Sequence, residues 1–89
     1  MTQPNKWLVY LLVCADGTYY CGATNDLSKR LDKHNAGKGA KYTKTRRPVR
    51  LLSFSRDMSK SEALKLEYKV KQAPRRQKPD MVMSPSEKK

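Results

Sequence analysis

The stretch LVYLLVCADGTYYCGAT, residues 8–24, decides the fold of this chain. The segment Trp7–Cys14 is apolar almost throughout and rich in β-branched and aromatic residues, which predicts a central strand covered on both faces. Asp16-Gly17 is a turn signal, and Thr18–Thr24 has the composition of a returning strand. We therefore expect an antiparallel hairpin at the centre of the domain.

The length of the hairpin loop determines which face Tyr20 occupies. A two-residue loop at Asp16-Gly17 would put Tyr10 and Tyr20 on opposite faces, because side chains alternate along a strand. A three-residue loop at Ala15-Asp16-Gly17, with Gly17 left-handed in a bulge, would put both on one face. Tyrosines in strands are commonly packing residues, and only the longer loop lets these two act at one site.

The rest of the chain predicts two helices and a third strand. A capped helical pattern covers residues 25–37, and the run VRLLSF at residues 49–54 predicts a strand. A capping box opens a second helix over residues 59–72. The expected fold class is α+β, a three-stranded antiparallel sheet flanked by helices.

A length of 89 residues leaves room for one small domain. We place it at residues 7–78, after an N-terminal tail over residues 1–6. Residues 79–89 are basic and contain prolines and serines, which indicates a disordered tail. No second recognition domain is expected.

The charge of the chain indicates a polyanionic partner. Twenty Lys and Arg against eight Asp and Glu give a net charge of +12, more than solubility requires. Nucleic acid is the first expectation, although a ribosome-associated protein or an anionic-membrane binder fits the same charge. Cys14 and Cys21 are too few for a disulfide scaffold, so we expect a cytoplasmic protein with free thiols. The longest apolar run is too short to cross a membrane.

Polar residues within the apolar faces of the helices are the candidates for function. Glu67 lies between Ala63 and Val70 on one face, so its carboxylate must be paired, protonated or bound to a cation. Arg30 and His34 are one turn apart on the border of the first helix and can reach the same spot. Without a function, Glu67 would form an internal ion pair, Arg30 would cover the core edge, and His34 would be a solvated surface residue.

These residues stand in an order that resembles the GIY-YIG nuclease domain. The matching segments are LVY at residues 8–10, YCG at 20–22, TNDLSKRLDKH at 24–34, GKGAKYTKTRRP at 37–48 and SEALKLEYKVK at 61–71. The likeness covers residues 7–72 and is greatest to small stand-alone bacterial members, related to excision-repair incision subunits. Leu8 and Cys21 depart from the usual motif residues, at positions that serve packing.

The resemblance implies an endonuclease that uses Mg²⁺ or Mn²⁺ to hydrolyse phosphodiester bonds in DNA, with branched or damaged DNA in repair or recombination as the expected context. Tyr10 and Tyr20 match the two motif tyrosines, and we assign the general base to Tyr10. Arg30 matches the arginine that stabilises the pentavalent phosphate, His34 a frequent helper, and Glu67 the metal-binding carboxylate. One carboxylate can hold Mg²⁺, since this ion keeps several waters. A tyrosine base needs a pKa lowered by cations, here Arg30 and the metal.

A basic segment between the first helix and the third strand is the expected phosphate contact. Its candidate nucleic-acid-binding residues are Lys38, Lys41, Tyr42, Lys44, Arg46, Arg47 and Arg50. Gly22 would allow close approach of backbone or phosphate, or would simply mark a bulge. The main alternative function is a catalytically inactive nucleic-acid-binding module that uses this patch with salt-sensitive affinity. A basic structural protein of an RNA assembly is a third. No membrane partner is expected, and the candidate sources of specificity are a homodimer, a protein partner and the shape of the substrate.

Overall fold

The computed structural model describes residues 6–83 and has the expected α+β architecture. In chain order its elements are β1 (Leu8–Val13), β2 (Tyr19–Thr24), α1 (Leu27–Asn35), α2 (Lys41–Lys44), β3 (Arg50–Phe54), α3 (Lys60–Gln72), a 3₁₀ turn (Arg75–Gln77) and α4 (Lys78–Met83). The strands form one antiparallel sheet in the order β2-β1-β3. Within residues 6–83 no helix is long and apolar enough to span a membrane.

The hairpin between β1 and β2 has the three-residue loop. The backbone N–H of Cys14 donates to the carbonyl of Thr18 at 2.8 Å, and Gly17 has φ +87°. In the resulting register Tyr10 and Tyr20 lie on the same face of the sheet. Both tyrosines therefore reach the layer that contains α1.

Each face of β1 contributes to its own apolar cluster, as expected for a central strand. One cluster, on the α3 and α4 side, contains Val9, Leu11, Cys21, Met58, Ala63, Val70 and Val82. The other, on the α1 side, contains Tyr10, Leu12, Cys14 and Val49. The two cysteines are buried, free and on opposite sides of the sheet.

Helix α3 begins at the predicted capping box. The Ser59 hydroxyl accepts from the backbone N–H of Glu62, and the Glu62 carboxylate accepts from the backbone N–H of Ser59, each at 3.1 Å. Ala63 and Val70 are fully buried beneath the helix. Glu67 is thereby fixed on the flank of α3, one turn from each buried residue.

Two segments are more ordered than the sequence indicated. The basic loop after α1 contains the short helix α2, and the region from residue 79 is not a disordered tail throughout, since α4 extends to Met83. Val82 is fully buried against the α3-side cluster. Pro79 lies in the first turn of α4, where a missing N–H costs no helical hydrogen bond. The remainder of the predicted tail, residues 84–89, and most of the predicted N-terminal tail lie outside the described residues.

Gly17 provides a test of the hairpin geometry. A Cβ at this position would meet no atom within 4 Å, so the cost of Gly17→Ala is the left-handed backbone alone, about 1–2 kcal/mol of unfolding free energy. Gly17→Asn is the matched control and costs less, because Asn tolerates this conformation. Chemical denaturation measures both variants. Equal stability of wild type and Gly17→Ala would contradict the assigned loop.

Candidate active site

Gly22 allows Tyr10 to reach across the edge strand of the sheet. The register pairs Tyr10 with Gly22, and a Cβ built on Gly22 would lie 2.6 Å from the Tyr10 Cζ and overlap its hydroxyl oxygen. The close approach expected at Gly22 is therefore made by the Tyr10 ring, and any side chain at residue 22 would displace it.

The hydroxyl of Tyr10 begins a chain of buried hydrogen bonds. Tyr10 Oη lies 3.0 Å from Nε2 of His34, and Nδ1 of His34 lies 2.8 Å from the hydroxyl of Thr43. The Thr43 hydroxyl also lies 3.1 Å from the carbonyl of Ala40, and a hydroxyl proton directed to that carbonyl leaves the Thr43 oxygen to accept from His34 Nδ1–H. His34 Nε2 is then unprotonated and accepts from Tyr10.

His34 is fully buried, so the interpretation of this residue as a solvated surface histidine is wrong. Gly39 permits the burial, since a Cβ there would overlap the imidazole and lie 2.6 Å from its Cγ. Burial, and secondly the charge of Arg30, lower the pKa of His34. Sequence reasoning missed Gly39 and Thr43. The feature that could have identified them is their spacing from His34: Gly39 follows it by five residues and Thr43 by nine.

Arg30 is half-buried beside the same hydroxyl. Its Nε donates to Tyr10 Oη and its Nη2 to the carbonyl of Gly39, both at 3.4 Å. The guanidinium also borders a depression of about 380 Å³. The other residues that line it are Trp7, Ala23, Thr24, Asn25, Asp26, Lys29 and Lys33. Arg30 thus joins the buried hydrogen-bond chain to an open cationic surface.

The electrostatics of Tyr10 differ from the expectation for a free tyrosine base. Burial raises the pKa of Tyr10 to about 12, and the hydrogen bond and charge of Arg30 offset only part of this effect. Arg30 alone therefore does not bring the pKa below its ordinary value. At neutral pH Tyr10 is protonated, and its proton points to His34 Nε2.

Tyr20 lies in a stack of aromatic and cationic groups. Its ring centroid is 5.1 Å from that of His34 and 5.9 Å from that of Tyr42, with the two tyrosine rings inclined by 27°. The guanidinium of Arg46 lies 4.0 Å from the Tyr42 centroid. Helix α2 therefore covers one face of Tyr20, which is half-buried.

Glu67 forms an ion pair with a lysine, the alternative that the sequence left open, but the pair is partly exposed and not internal. Its carboxylate lies 3.1 Å from Nζ of Lys71, and its side chain is 19% exposed. Lys71 is not remote from the site, because its Nζ is also 5.9 Å from the Tyr20 ring centroid. The charge of Glu67 contributes to the raised pKa of Tyr10. Tyr10, Tyr20 and His34 are thus in mutual contact, and Glu67 adjoins them through Lys71.

The candidate phosphate-contact residues divide into two groups. Arg46 pairs with Asp16 at 3.1 Å and donates to the Tyr42 carbonyl, and Arg47 donates to the carbonyls of Lys44 and Asn35. These two guanidiniums hold the loop together. The remaining cations are exposed: Lys38, Lys41 and Lys44 on or near α2, and Arg50 on β3, the sheet edge opposite β2. Their part in nucleic-acid binding stays a prediction.

The C-terminal part of the domain adds cations that sequence reasoning did not select. A depression of about 290 Å³ is lined by Tyr19, Tyr20, Cys21, Tyr42, Lys71 and Lys78. Arg75 lies 4.4 Å above the Tyr19 ring and donates to the Gly17 carbonyl. Lys71, Lys78 and Arg75 come from α3 and the segment after it, so only the folded chain brings the two lysines beside Tyr20 and Arg75 over Tyr19.

Known proteins share this architecture. The family described as GIY-YIG catalytic domain matches residues 6–80. A UPF0213 protein of Nitratidesulfovibrio vulgaris is 49% identical over 81% of this chain and 66% of its own length, and one of Halobacterium salinarum is 53% identical over 79% and 91%. The solution NMR structure of a UPF0213 protein from Bacillus halodurans has a TM-score of 0.52 and 47% identity, over 84% of this chain and 80% of that one.

Gly22→Ala tests whether the Tyr10 ring passes over Gly22. The added methyl group forces the Tyr10 ring off its position against His34, at an expected cost of about 1–3 kcal/mol in unfolding free energy. The same substitution in a Tyr10→Leu background removes the clash and should cost much less. Denaturation of the four proteins of this double-mutant cycle measures the coupling, and equal costs in both backgrounds would contradict the geometry.

The lowered pKa of His34 predicts a pH-dependent stability. The unfolded chain takes up the imidazole proton near the ordinary pKa of 6.5, whereas the folded state resists it. This contribution is therefore complete above pH 6.5 and is lost as the pH falls through the lower folded value. Denaturation between pH 7.5 and 5.5 should show falling stability in the wild type. His34→Gln removes the sole histidine of the chain, and an unchanged slope in that variant would refute the assignment.

Proposed function

The chain belongs to the GIY-YIG catalytic domain family, and on that basis we propose that it is a Mg²⁺- or Mn²⁺-dependent endonuclease that hydrolyses phosphodiester bonds in DNA. The observation that carries this proposal is the contact of the Tyr10 hydroxyl with both His34 and Arg30, at 3.0 and 3.4 Å. A proton acceptor and a fixed cation thus meet at one oxygen, and the charge of Glu67 is near enough to contribute to the raised pKa of Tyr10.

Arg30 is the group that stabilises the charge of the transition state. A guanidinium has five N–H donors, and its hydrogen bonds to Tyr10 and Gly39 use two of them. The others can bind nonbridging oxygens of a phosphate in the adjacent depression. Because the Tyr10 and Gly39 contacts fix the guanidinium in advance, it needs little reorganisation as negative charge develops.

Tyr10 and His34 act together as the general base. A free phenolate is unfavourable with a pKa of about 12, but the hydroxyl can take a proton from water while its own proton passes to His34 Nε2. The resulting hydroxide attacks phosphorus, and the bond to the leaving oxygen breaks. His34, whose lowered pKa keeps it neutral beforehand, then returns the proton to Tyr10, and the Tyr10 hydroxyl releases one to a water that protonates the leaving oxygen. Tyr10 is 1% exposed, so the water enters beside the half-buried Arg30.

Glu67 is the residue that would hold the divalent cation. Within residues 6–83 no cluster of three or more His, Cys, Asp or Glu side chains forms a metal-ligand set, so water and substrate oxygens would complete the coordination, as Mg²⁺ and Mn²⁺ accept. The Glu67 carboxylate already has a cation, the Lys71 ammonium, at 3.1 Å, which supports a cation-binding role for this position. When bound, the metal offsets the charge on the phosphate and leaving oxygens.

Cleavage assays with single substitutions test the proposal. Nicked, branched and single-stranded DNA are incubated with and without Mg²⁺. Glu67→Ala and Arg30→Ala should each lower the rate about 10²- to 10³-fold, and Tyr10→Phe about 10²- to 10⁴-fold. Tyr20→Phe is the control for the base: activity lost there and retained in Tyr10→Phe would move that role to Tyr20.

Two outcomes would overturn the nuclease assignment. If pure wild-type protein binds all three DNAs without cleaving them in either metal, the chain is a catalytically inactive nucleic-acid-binding module. If Glu67→Ala cleaves as fast as wild type, the activity comes from a contaminant or from another site. Cleavage of branched DNA in preference to the others would support the repair or recombination context.

A further inference from the structure

We propose that Lys71 is a second phosphate-binding residue of the active site, which occupies the Glu67 carboxylate until nucleic acid arrives, so that the metal and the nucleic acid bind cooperatively. This inference rests on the proposed metal-binding role of Glu67. Lys71 would pair with Glu67 in the free protein and with a phosphate once the metal and the nucleic acid are bound.

The position of the Lys71 ammonium carries the inference. Nζ lies 3.1 Å from the Glu67 carboxylate and 5.9 Å from the Tyr20 ring centroid. The same side chain lines the depression of about 290 Å³ together with Tyr20, Tyr42 and Lys78, and no acidic residue is among the lining residues. Lys71 thus faces a carboxylate on one side and an open cationic depression on the other.

A purely structural explanation of this pair is weak. A partly exposed ion pair between residues i and i+4 of a helix contributes little to stability, and the Lys71 side chain is 49% exposed. Such a contribution does not account for a carboxylate that is 19% exposed on the flank of the core. A cation-binding position near Tyr20 does account for it.

The ammonium and a divalent cation compete for the same carboxylate. Both are positive, and at a separation near 4 Å their mutual repulsion is substantial even close to a protein surface. A metal ion at Glu67 therefore expels Lys71, whose flexible stem can carry the ammonium into the depression. There it has no carboxylate among the lining residues, but a phosphate of bound DNA would supply an anion.

Cooperative binding follows from this exchange. Without DNA, the metal must displace an ammonium that has no other anion nearby; with DNA, the metal holds Glu67 and Lys71 holds a phosphate. Each ligand therefore increases the affinity of the other by the same factor. The arrangement disfavours a metal-loaded site in the absence of substrate.

Lys71→Met and Lys69→Met form a matched pair for the test. Met keeps the apolar stem and removes the charge. Lys69 is exposed two residues earlier on the same helix, so its substitution changes the net charge equally without touching the Glu67 pair. Thermal unfolding establishes that both variants are folded, which their exposed positions favour.

Electron paramagnetic resonance of free Mn²⁺ measures metal binding to the full chain without DNA. We expect Lys71→Met to bind Mn²⁺ about 3- to 10-fold more tightly than wild type, because the competing pair and its repulsion are gone, whereas Lys69→Met resembles wild type or changes less. Anisotropy of a labelled oligonucleotide in Ca²⁺ and in EDTA measures the coupling. Wild type should bind DNA more tightly with the metal, and Lys71→Met should lose most of that gain.

Two results separate the failure of this inference from failure of the proposed function. Equal Mn²⁺ affinities of Lys71→Met and Lys69→Met, with binding still abolished by Glu67→Gln, would overturn the role of Lys71 and leave Glu67 as the metal ligand. Mn²⁺ binding to the DNA complex that is unchanged by Glu67→Gln would overturn the metal role of Glu67 itself, and the Lys71 inference with it.

Discussion

The passage of the Tyr10 ring over Gly22 is the contact on which the site depends. It takes a side chain from the central strand, buried on both faces, and carries its hydroxyl to His34 and Arg30 on α1. A Cβ at Gly22 would occupy the same space. The hydroxyl oxygen of Tyr10 thus links the hairpin, α1 and the hydrogen-bond chain. A change in any of these three alters the positions of the proton acceptor His34 and the cation Arg30 together.

The loop after α1 closes this arrangement by removing water from it. Gly39 packs against His34 and Thr43 accepts its Nδ1–H, which selects one tautomer and leaves Nε2 as the acceptor for Tyr10. The same burial raises the pKa of Tyr10 and lowers that of His34. Both shifts favour neutral partners that share one proton, and the charged groups, Arg30 and Glu67, lie at the border where a substrate would arrive.

The positive charge of the chain is divided between structural and functional roles. Arg46 donates to Asp16 and to a backbone carbonyl, and Arg47 donates to backbone carbonyls. These hydrogen bonds hold α2 against the sheet. Lys71 lies between a carboxylate and an open depression, a position from which an ammonium can change partners. A net charge of +12 therefore indicates a polyanionic partner. The contacts within the fold determine which Lys and Arg side chains remain available to bind it.

The sequence by itself determined the local structure: the hairpin turn, the capping box of α3 and the α+β class follow from Asp16-Gly17, Ser59 and apolar periodicity, which act within a few residues. The motif order likewise identified the family. The sequence left open whether the hairpin loop has two or three residues, and the structure decided it. Only the tertiary structure decided the burial of His34, the partner of Glu67 and the helix that contains Val82. The burial of His34 and the formation of the helix that contains Val82 depend on contacts between residues distant in sequence. The partner of Glu67 depends on which neighbouring cation lies closest. Local sequence patterns do not predict such contacts.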